Sequence, residues 1–417
     1  MSPGLAAALL GSLALAPLGT WLGRRLRWLP VLLQVLAAVA VIFTALHSLP
    51  LRPVAAGLTA TGLGRLLLSR LTAAILVGGW AAALLELGAT RRRNPRPGGI
   101  ALQLLVGVAC SAALALTGLI PLAVLLASVL VAVWVRWQHL GGPSLPVRSL
   151  ARQAAVVLCA LLAAAAVLPA ERVGAAPAVL VGVLLVGGFG GVAGLLPLSS
   201  WVGAVSRVGP AEGSLWRIWL VPLGVISLAR VLATEPEHLT QVLQILLIAL
   251  GMATTIFWGA AALVAPAGNR YQRVLAADVG FMCAGVAAGD ALGLAGAVLL
   301  VVVHWLAGST LAEAPVGRAQ LLAWLGVSGV PPFGGFSARL LILVGASFMG
   351  PLVLGGTVLA FGLQLAAGGA GIGEALRRST VRGPALSEAL GLAAAVATLA
   401  LGIFAQPVLR LAFGIRL

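Results

Sequence analysis

Apolar runs of about 20 residues recur along the 417-residue chain, and short loops with most of the arginines separate them. Each run is long enough to cross a hydrocarbon layer of roughly 30 Å as a helix. The pattern predicts fourteen spans, at 3–20, 29–47, 71–88, 99–118, 120–137, 151–169, 176–199, 215–233, 239–264, 274–288, 291–310, 319–345, 350–372 and 386–406. The predicted fold class is therefore an all-α polytopic membrane protein.

Composition supports a lipid environment, because 61% of the residues are hydrophobic and only 9% are charged. A soluble domain has about a quarter of its residues charged, so this chain cannot cover an ordinary water-exposed surface. The loops are too short for a soluble domain, and we expect no active site, metal, cofactor or bound nucleotide in this chain. Whether the chain is part of an enzyme stays open at this point.

The basic residues indicate orientation rather than nucleic-acid binding. All 26 are arginine, and they are scattered over the loops instead of forming one patch, although the net charge is +16. An outside N-terminus places eighteen arginines in inner loops and seven in outer ones, which agrees with the excess of positive charge on the inner side of membranes. This predicts a bacterial plasma membrane protein with both termini outside, in contact with lipid and not with nucleic acid.

Two stretches with glycine and proline interrupt the apolar pattern. Residues 191–198 read GVAGLLPL, and residues 326–333 read GVSGVPPF, with Gly, Val, Gly and Pro at matching positions. Proline breaks the hydrogen-bond ladder of a helix. Backbone groups freed in this way are tolerated at membrane depth only where protein or water binds them. Paired breaks of this kind indicate the ion path of a transporter. We predict breaks at four residues: Pro197, Gly329, Pro331 and Pro332.

Three motifs resemble signatures of the antiporter-like membrane subunits of respiratory complex I. AQLLAWLGVSGVPPFGGFSARLLIL at 319–343 is similar to the twelfth-helix signature of that family, and GFGGVAGLLPLSSWVG at 188–203 to the seventh. RVLAADVGFMCAGVAAG at 273–289 is a third match. The resemblance covers about 176–345 and extends to smaller subunits of the N type, to Mrp-type antiporters and to membrane-bound hydrogenases.

The resemblance implies a domain layout and a role. Two inverted five-helix repeats, at 99–233 and 239–372, would follow an N-terminal three-helix segment at 1–98 and precede a C-terminal helix at 386–417. The chain would be a proton-translocation-related membrane subunit that packs against other membrane subunits, and those partners would supply redox energy. The alternatives are an autonomous secondary ion transporter, an inorganic-carbon uptake module, or a non-conducting structural subunit.

Much of the family's proton relay has no counterpart in this chain. The family's lysine in the twelfth helix falls on Arg339, which keeps a charge. The family's other relay positions, which are Lys, His, Lys and Glu, fall on uncharged residues: Val192, Ser199, Val221 or Pro222, and Leu116 or Thr117. The resemblance therefore implies a degenerate N-terminal half-channel and, at most, a C-terminal one.

Three ionisable residues remain as candidates for a proton path. Arg339 cannot release a proton, so it is either a fixed counter-charge inside the protein or a residue that extends to the outer interface. His304 can change charge near neutral pH, and it is either a relay or a packing histidine. Asp278 is either an interfacial partner of Arg273 or a proton-entry group.

Overall fold

Helices make up the computed structural model, which describes residues 29–48, 72–84, 106–111, 155–160, 162–164, 175–199, 202, 216–234, 237–312, 318–379 and 385–406. Within these ranges every regular element is helical, which confirms the predicted all-α class. The predicted spans at 3–20 and 120–137 lie outside the described residues. The predicted total of fourteen spans and the four-part domain layout therefore stay predictions.

The first described helices are α1, Leu29–Ser48, and α2, Thr72–Leu84. Helix α3 begins as Ala175–Leu185, widens into a π turn at Val186–Gly190 and ends as Gly191–Ala193. Helix α4 begins with the π turn Trp216–Leu220 and continues as Val221–Thr234. Shorter helical stretches are described at 106–111, 155–160 and 162–164.

Seven helices follow in the C-terminal half: α5 Glu237–Leu263, α6 Ala267–Ala287, α7 Ala291–Ala312, α8 Arg318–Ser328, α9 Gly334–Ser347, α10 Pro351–Arg378 and α11 Ala385–Ile403. The predicted spans 239–264, 291–310 and 350–372 correspond to α5, α7 and α10. Among the described helices, four are long and apolar enough to cross a membrane: Trp216–Ala233, Glu237–Leu263, Ala291–Gly308 and Pro351–Arg378.

Helix α6 is the central helix of the C-terminal half, and all its residues from Tyr271 to Ala287 except Arg273 are buried. Small residues let its neighbours approach closely. A Cβ at Gly280 would meet Gly251 O and would lie 2.6 Å from Thr255 Oγ1, both on α5. The Thr255 hydroxyl also donates to Ala277 O at 3.0 Å. These contacts fix the rotation of α6 and therefore the direction of its polar side chains.

Helices α7 and α9 approach each other through glycine in the same way. A Cβ at Gly296 of α7 would lie 2.6 Å from Ala338 O and 2.7 Å from Ile342 Cγ1 of α9. One turn earlier on α7, Gly293 and Gly285 of α6 form a similar close contact, which also adjoins Ile342. The three helices therefore pack with little side-chain volume between them, which brings their polar residues within hydrogen-bonding distance.

The chain leaves the helical conformation at both glycine–proline stretches. Helix α3 ends at Ala193, and Gly194 follows with φ of 98°. Helix α8 ends at Ser328, and Gly329 follows with φ of 82°. A left-handed residue after a helix is the conformation that glycine adopts most readily. The peptide bonds Leu196–Pro197 and Pro331–Pro332 are both cis.

Candidate functional site

Asp278 lies in the middle of α6 with none of its side chain exposed, and it is the centre of a buried polar cluster. Arg339 of α9 binds both carboxylate oxygens, with Nη2 at 2.9 Å from Oδ1 and 2.6 Å from Oδ2. The Nε atom of the same arginine lies 3.2 Å from Oδ1. His304 of α7 places Nε2 at 2.8 Å from Oδ2. Three helices therefore converge on one carboxylate.

Arg339 also holds the broken helix together. Its Nη1 atom donates to Val327 O at 2.8 Å, in the last turn of α8, and to Gly335 O at 3.2 Å, at the start of α9. Arginine has five N–H donors, and this arrangement gives each of them an acceptor. The charge beside the break therefore has two roles, because it binds carbonyls of the interrupted helix and pairs with Asp278.

Tyr271 of α6 extends the cluster past His304. Its hydroxyl lies 3.3 Å from His304 Nδ1, and the two rings are tilted, with their centroids 5.9 Å apart. Neutral histidine donates through one ring nitrogen and accepts through the other. Since Asp278 is a carboxylate paired with arginine, Nε2 is the donating atom, and Nδ1 accepts from the Tyr271 hydroxyl. This geometry gives a continuous hydrogen-bonded line from Tyr271 to Asp278.

His304 is the group in this line whose charge can change, and both of its ring nitrogens have a polar partner. A proton arriving at Nδ1 makes imidazolium, which then donates to Tyr271 and to Asp278 together. Asp278 and Arg339 carry opposite charges and form a neutral pair, so a protonated His304 leaves the buried cluster with one net positive charge beside the carboxylate. Arg339 stays protonated throughout, which suits a fixed counter-charge and excludes it as a carrier.

The structure brings Asp278, His304 and Arg339 together in one cluster. The interfacial positions considered for Asp278 and Arg339 are not observed. Asp278 does not bind Arg273, whose Nη1 instead donates to Ala261 O at 2.7 Å, near the C-terminal end of α5. Arg339 does not extend to the outer interface, because it is fully buried. His304 is buried too, and both of its ring nitrogens have polar partners.

Sequence reasoning missed Tyr271, and it counted Arg217 among the eighteen arginines of the inner loops although the predicted span 215–233 includes this residue. Tyr271 is the chain's single tyrosine, and it lies seven residues before Asp278, on the same face of α6. Arg217 lies in the π turn of α4 and is only 2% exposed. A Cβ at Gly308 of α7 would lie 2.6 Å from Arg217 Cδ and would also meet the Tyr271 hydroxyl. Arg217 and Tyr271 therefore lie next to the same glycine.

The N-terminal break contains no charge among its described contacts. Trp216 Nε1 donates to Ala193 O at 3.1 Å, and Leu196 N donates to Thr254 Oγ1 at 3.0 Å. Val192 and Ser199, where the family resemblance would place ionisable residues, are both buried. Val221 is buried in α4, whereas Leu116 and Thr117 lie outside the described residues. Neutral donors therefore bind the backbone of this break.

The sequence of residues 160–314 matches a family model described as NADH:quinone oxidoreductase/Mrp antiporter, transmembrane part. These residues include α3 to α7, and therefore Asp278 and His304, but not Arg339. No curated protein matches the chain.

Solved structures show where the same fold occurs. A chain of respiratory complex I from Thermus thermophilus superposes with a TM-score of 0.73 at 21% identity, covering 97% of this chain and 98% of that one. A chain of the Mrp complex from Dietzia sp. gives 0.78 at 19% identity, covering 98% of this chain and 51% of that one. An archaeal membrane-bound sulfane sulfur reductase gives 0.71 at 15% identity, covering 96% of this chain and 76% of that one. The family resemblance predicted from the sequence is confirmed.

Proposed function

We propose that this chain, a member of the antiporter-like membrane subunit family by its match over residues 160–314, serves an ion-translocating assembly of the complex I type. Among the described residues, the C-terminal half keeps a polar path for protons, and Asp278 is the central group of that path. The described part of the N-terminal half has the helix break without the relay. In this proposal, partner subunits supply the redox energy.

The buried position of Asp278 between Arg339 and His304 is the observation that carries this proposal. Removing two charges from water costs several kcal/mol per ion, and apolar replacements of a buried ion pair are often as stable or more stable. Stability alone is therefore a weak reason for an ion pair here. Ionisable residues inside membrane spans typically mark proton or ion pathways. A histidine that bridges the carboxylate and a tyrosine hydroxyl suits proton transfer better than packing.

The lining of the first break supports the assignment of the N-terminal half as non-conducting. Val192 and Val221 are buried apolar residues, and Ser199 is a neutral hydroxyl with no charge to offer a proton. A proton would need a continuous chain of water along apolar walls to pass these positions, which is unfavourable. The two halves therefore share the backbone break and differ in the chemistry around it.

The proposed setting is a side-by-side array of membrane subunits. The structural relatives come from respiratory complex I, the Mrp complex and a membrane-bound sulfane sulfur reductase, which are all multi-subunit complexes. Large apolar side chains such as Leu352, Val264 and Ile245 are exposed on α10 and α5 and near their ends. Such surfaces require lipid or another apolar membrane subunit as a neighbour.

The test is His304→Ala in the purified and reconstituted assembly. Ion pumping per electron should fall, while the electron-transfer rate stays at the wild-type value, because the change removes a proton carrier and no redox group. His238→Ala is the matched control, since His238 lies in the first turn of α5, away from the cluster. If His304→Ala and Asp278→Asn both pump as well as wild type, the subunit is a non-conducting spacer.

A further inference from the structure

Gln364 lies at the centre of the buried face of α10 and is fully buried. Within the part of the chain that the structure describes, neither its Oε1 nor its Nε2 has a hydrogen-bond partner. Among the described residues, Gln364 is the one buried side-chain amide whose oxygen and nitrogen both lack a hydrogen-bond partner. A buried amide with no partner is rare in folded proteins and calls for an unseen polar neighbour, most often water.

The surroundings of Gln364 place it beside the second helix break. Gly368 lies one helical turn further along α10, and a Cβ there would lie 2.7 Å from Ser328 Cα. On the same side of α10, the side chains of Phe361 and Leu365 contact the position of Gly329. A Cβ added at Gly329 would lie 2.9 Å from Arg339 Nη1. Gln364 therefore faces the region where α8 ends and where the Arg339 guanidinium lies.

Small residues flank this amide and let the end of α8 approach α10 closely. Its neighbours on the same face of α10 are Ala360, Ala367 and Gly368, all buried. The end of α8 adds acceptors, because the last four carbonyls of a helix have no partner within it. At this end Arg339 binds Val327 O and the Ser328 hydroxyl donates to Leu325 O. A water needs two to four polar partners, and each of these carbonyl oxygens has a second lone pair that can accept from it, in addition to the amide of Gln364.

We propose that Gln364 binds ordered water at the junction of α8 and α10, and that this water connects the amide to the break beside Arg339. The ligand class is water or its protonated form. Only the consequence of this water rests on the proposed function: it would extend the proton path from the Asp278 cluster toward α10. The water site itself rests on the buried amide and on the backbone of the break.

The direct test is an experimental map of the assembly at a resolution that shows water. Wild type should show water density within about 2.7–3.2 Å of Gln364 Oε1 or Nε2. Gln364→Met keeps length and approximate volume without hydrogen-bonding groups, so it should lose that density. A wild-type map that resolves waters elsewhere in the membrane region but none at Gln364 would overturn the proposal.

Thermal stability gives a second, independent readout. If Gln364 is dry, Gln364→Met removes an unsatisfied amide and should raise the melting temperature, which would also overturn the proposal. If water is bound there, the melting temperature should stay the same or fall, and Gln364→Leu should behave alike. Gln241→Met is the control, because its exposed amide bonds to Glu237 in the same helix. Both readouts stay valid even if His304→Ala leaves pumping unchanged, so the water site and the proposed function can fail separately.

Discussion

At the first helix break, Ala193 O accepts a hydrogen bond from the Trp216 indole; at the second, Val327 O accepts one from the Arg339 guanidinium. Both breaks have a left-handed glycine in the same place, Gly194 and Gly329. An uncharged indole is therefore sufficient to bind a carbonyl at a break of this shape. Arginine at the second break is not required by the backbone.

The two breaks therefore share a backbone shape and differ in the charge of the side chain that binds them. The break belongs to both halves, so its presence alone does not identify a conducting half. The second half differs because Arg339, which binds the break, also pairs with the carboxylate of Asp278. That carboxylate in turn contacts His304. Four predictions test this distinction, in order of decreasing expected effect on stability.

Arg339→Ala should have the largest effect. It leaves Asp278 buried with only His304 as partner and removes two hydrogen bonds from the break, and breaking a buried ion pair costs about 3–5 kcal/mol. Chemical unfolding in detergent measures this loss of the free energy of unfolding. Arg339→Lys should be tolerated better, because it keeps the charge although it loses the bidentate geometry. Equal losses for the two variants would mean that charge at this position contributes little.

Trp216→Phe is the corresponding change at the first break. It keeps an aromatic ring but leaves the buried Ala193 carbonyl without the indole donor, which should cost about 1–3 kcal/mol of unfolding free energy. Pumping per electron by the remaining folded assembly should be unaffected, since no proton path is proposed there. A pumping defect as large as that of His304→Ala would show that the N-terminal half conducts.

Gly194→Ala and Gly329→Ala form a matched pair. Each puts a Cβ on a left-handed residue, which costs roughly 1–2 kcal/mol. The new atom would lie 2.8 Å from Val202 Cγ2 in the first case and 2.9 Å from Arg339 Nη1 in the second. Both variants should lose similar stability, but only Gly329→Ala should reduce pumping. Measuring melting temperature and pumping in the same preparations separates the two effects.

The sequence predicted α5, α7 and α10 well because long apolar runs mark them. Helix α6 instead begins at Ala267 and includes Arg270 and Arg273, which precede the predicted span 274–288. The sequence was less informative about Asp278, because its partners are 26 and 61 residues away and only packing brings them together. Helix geometry already argued against Arg273 as a partner. Residues five apart do not share a face, whereas Tyr271, seven residues before Asp278, does. Gln364 was overlooked because a single amide in an apolar run has no pattern.

Tyr271→Phe should have the smallest effect of the four. It removes one hydroxyl and keeps the ring packed against Trp324, so about 1 kcal/mol of unfolding free energy should be lost with the hydrogen bond to His304. Pumping should fall less than in His304→Ala, because the imidazole remains next to Asp278 and loses only the group that orients its Nδ1. Reconstituted assemblies carrying either variant, compared at equal electron-transfer rates, measure this difference. Equal pumping defects would mean that the Tyr271 hydroxyl itself carries the proton to His304, and the path would then continue toward Gly308 and Arg217, which links the second half of the molecule to α4.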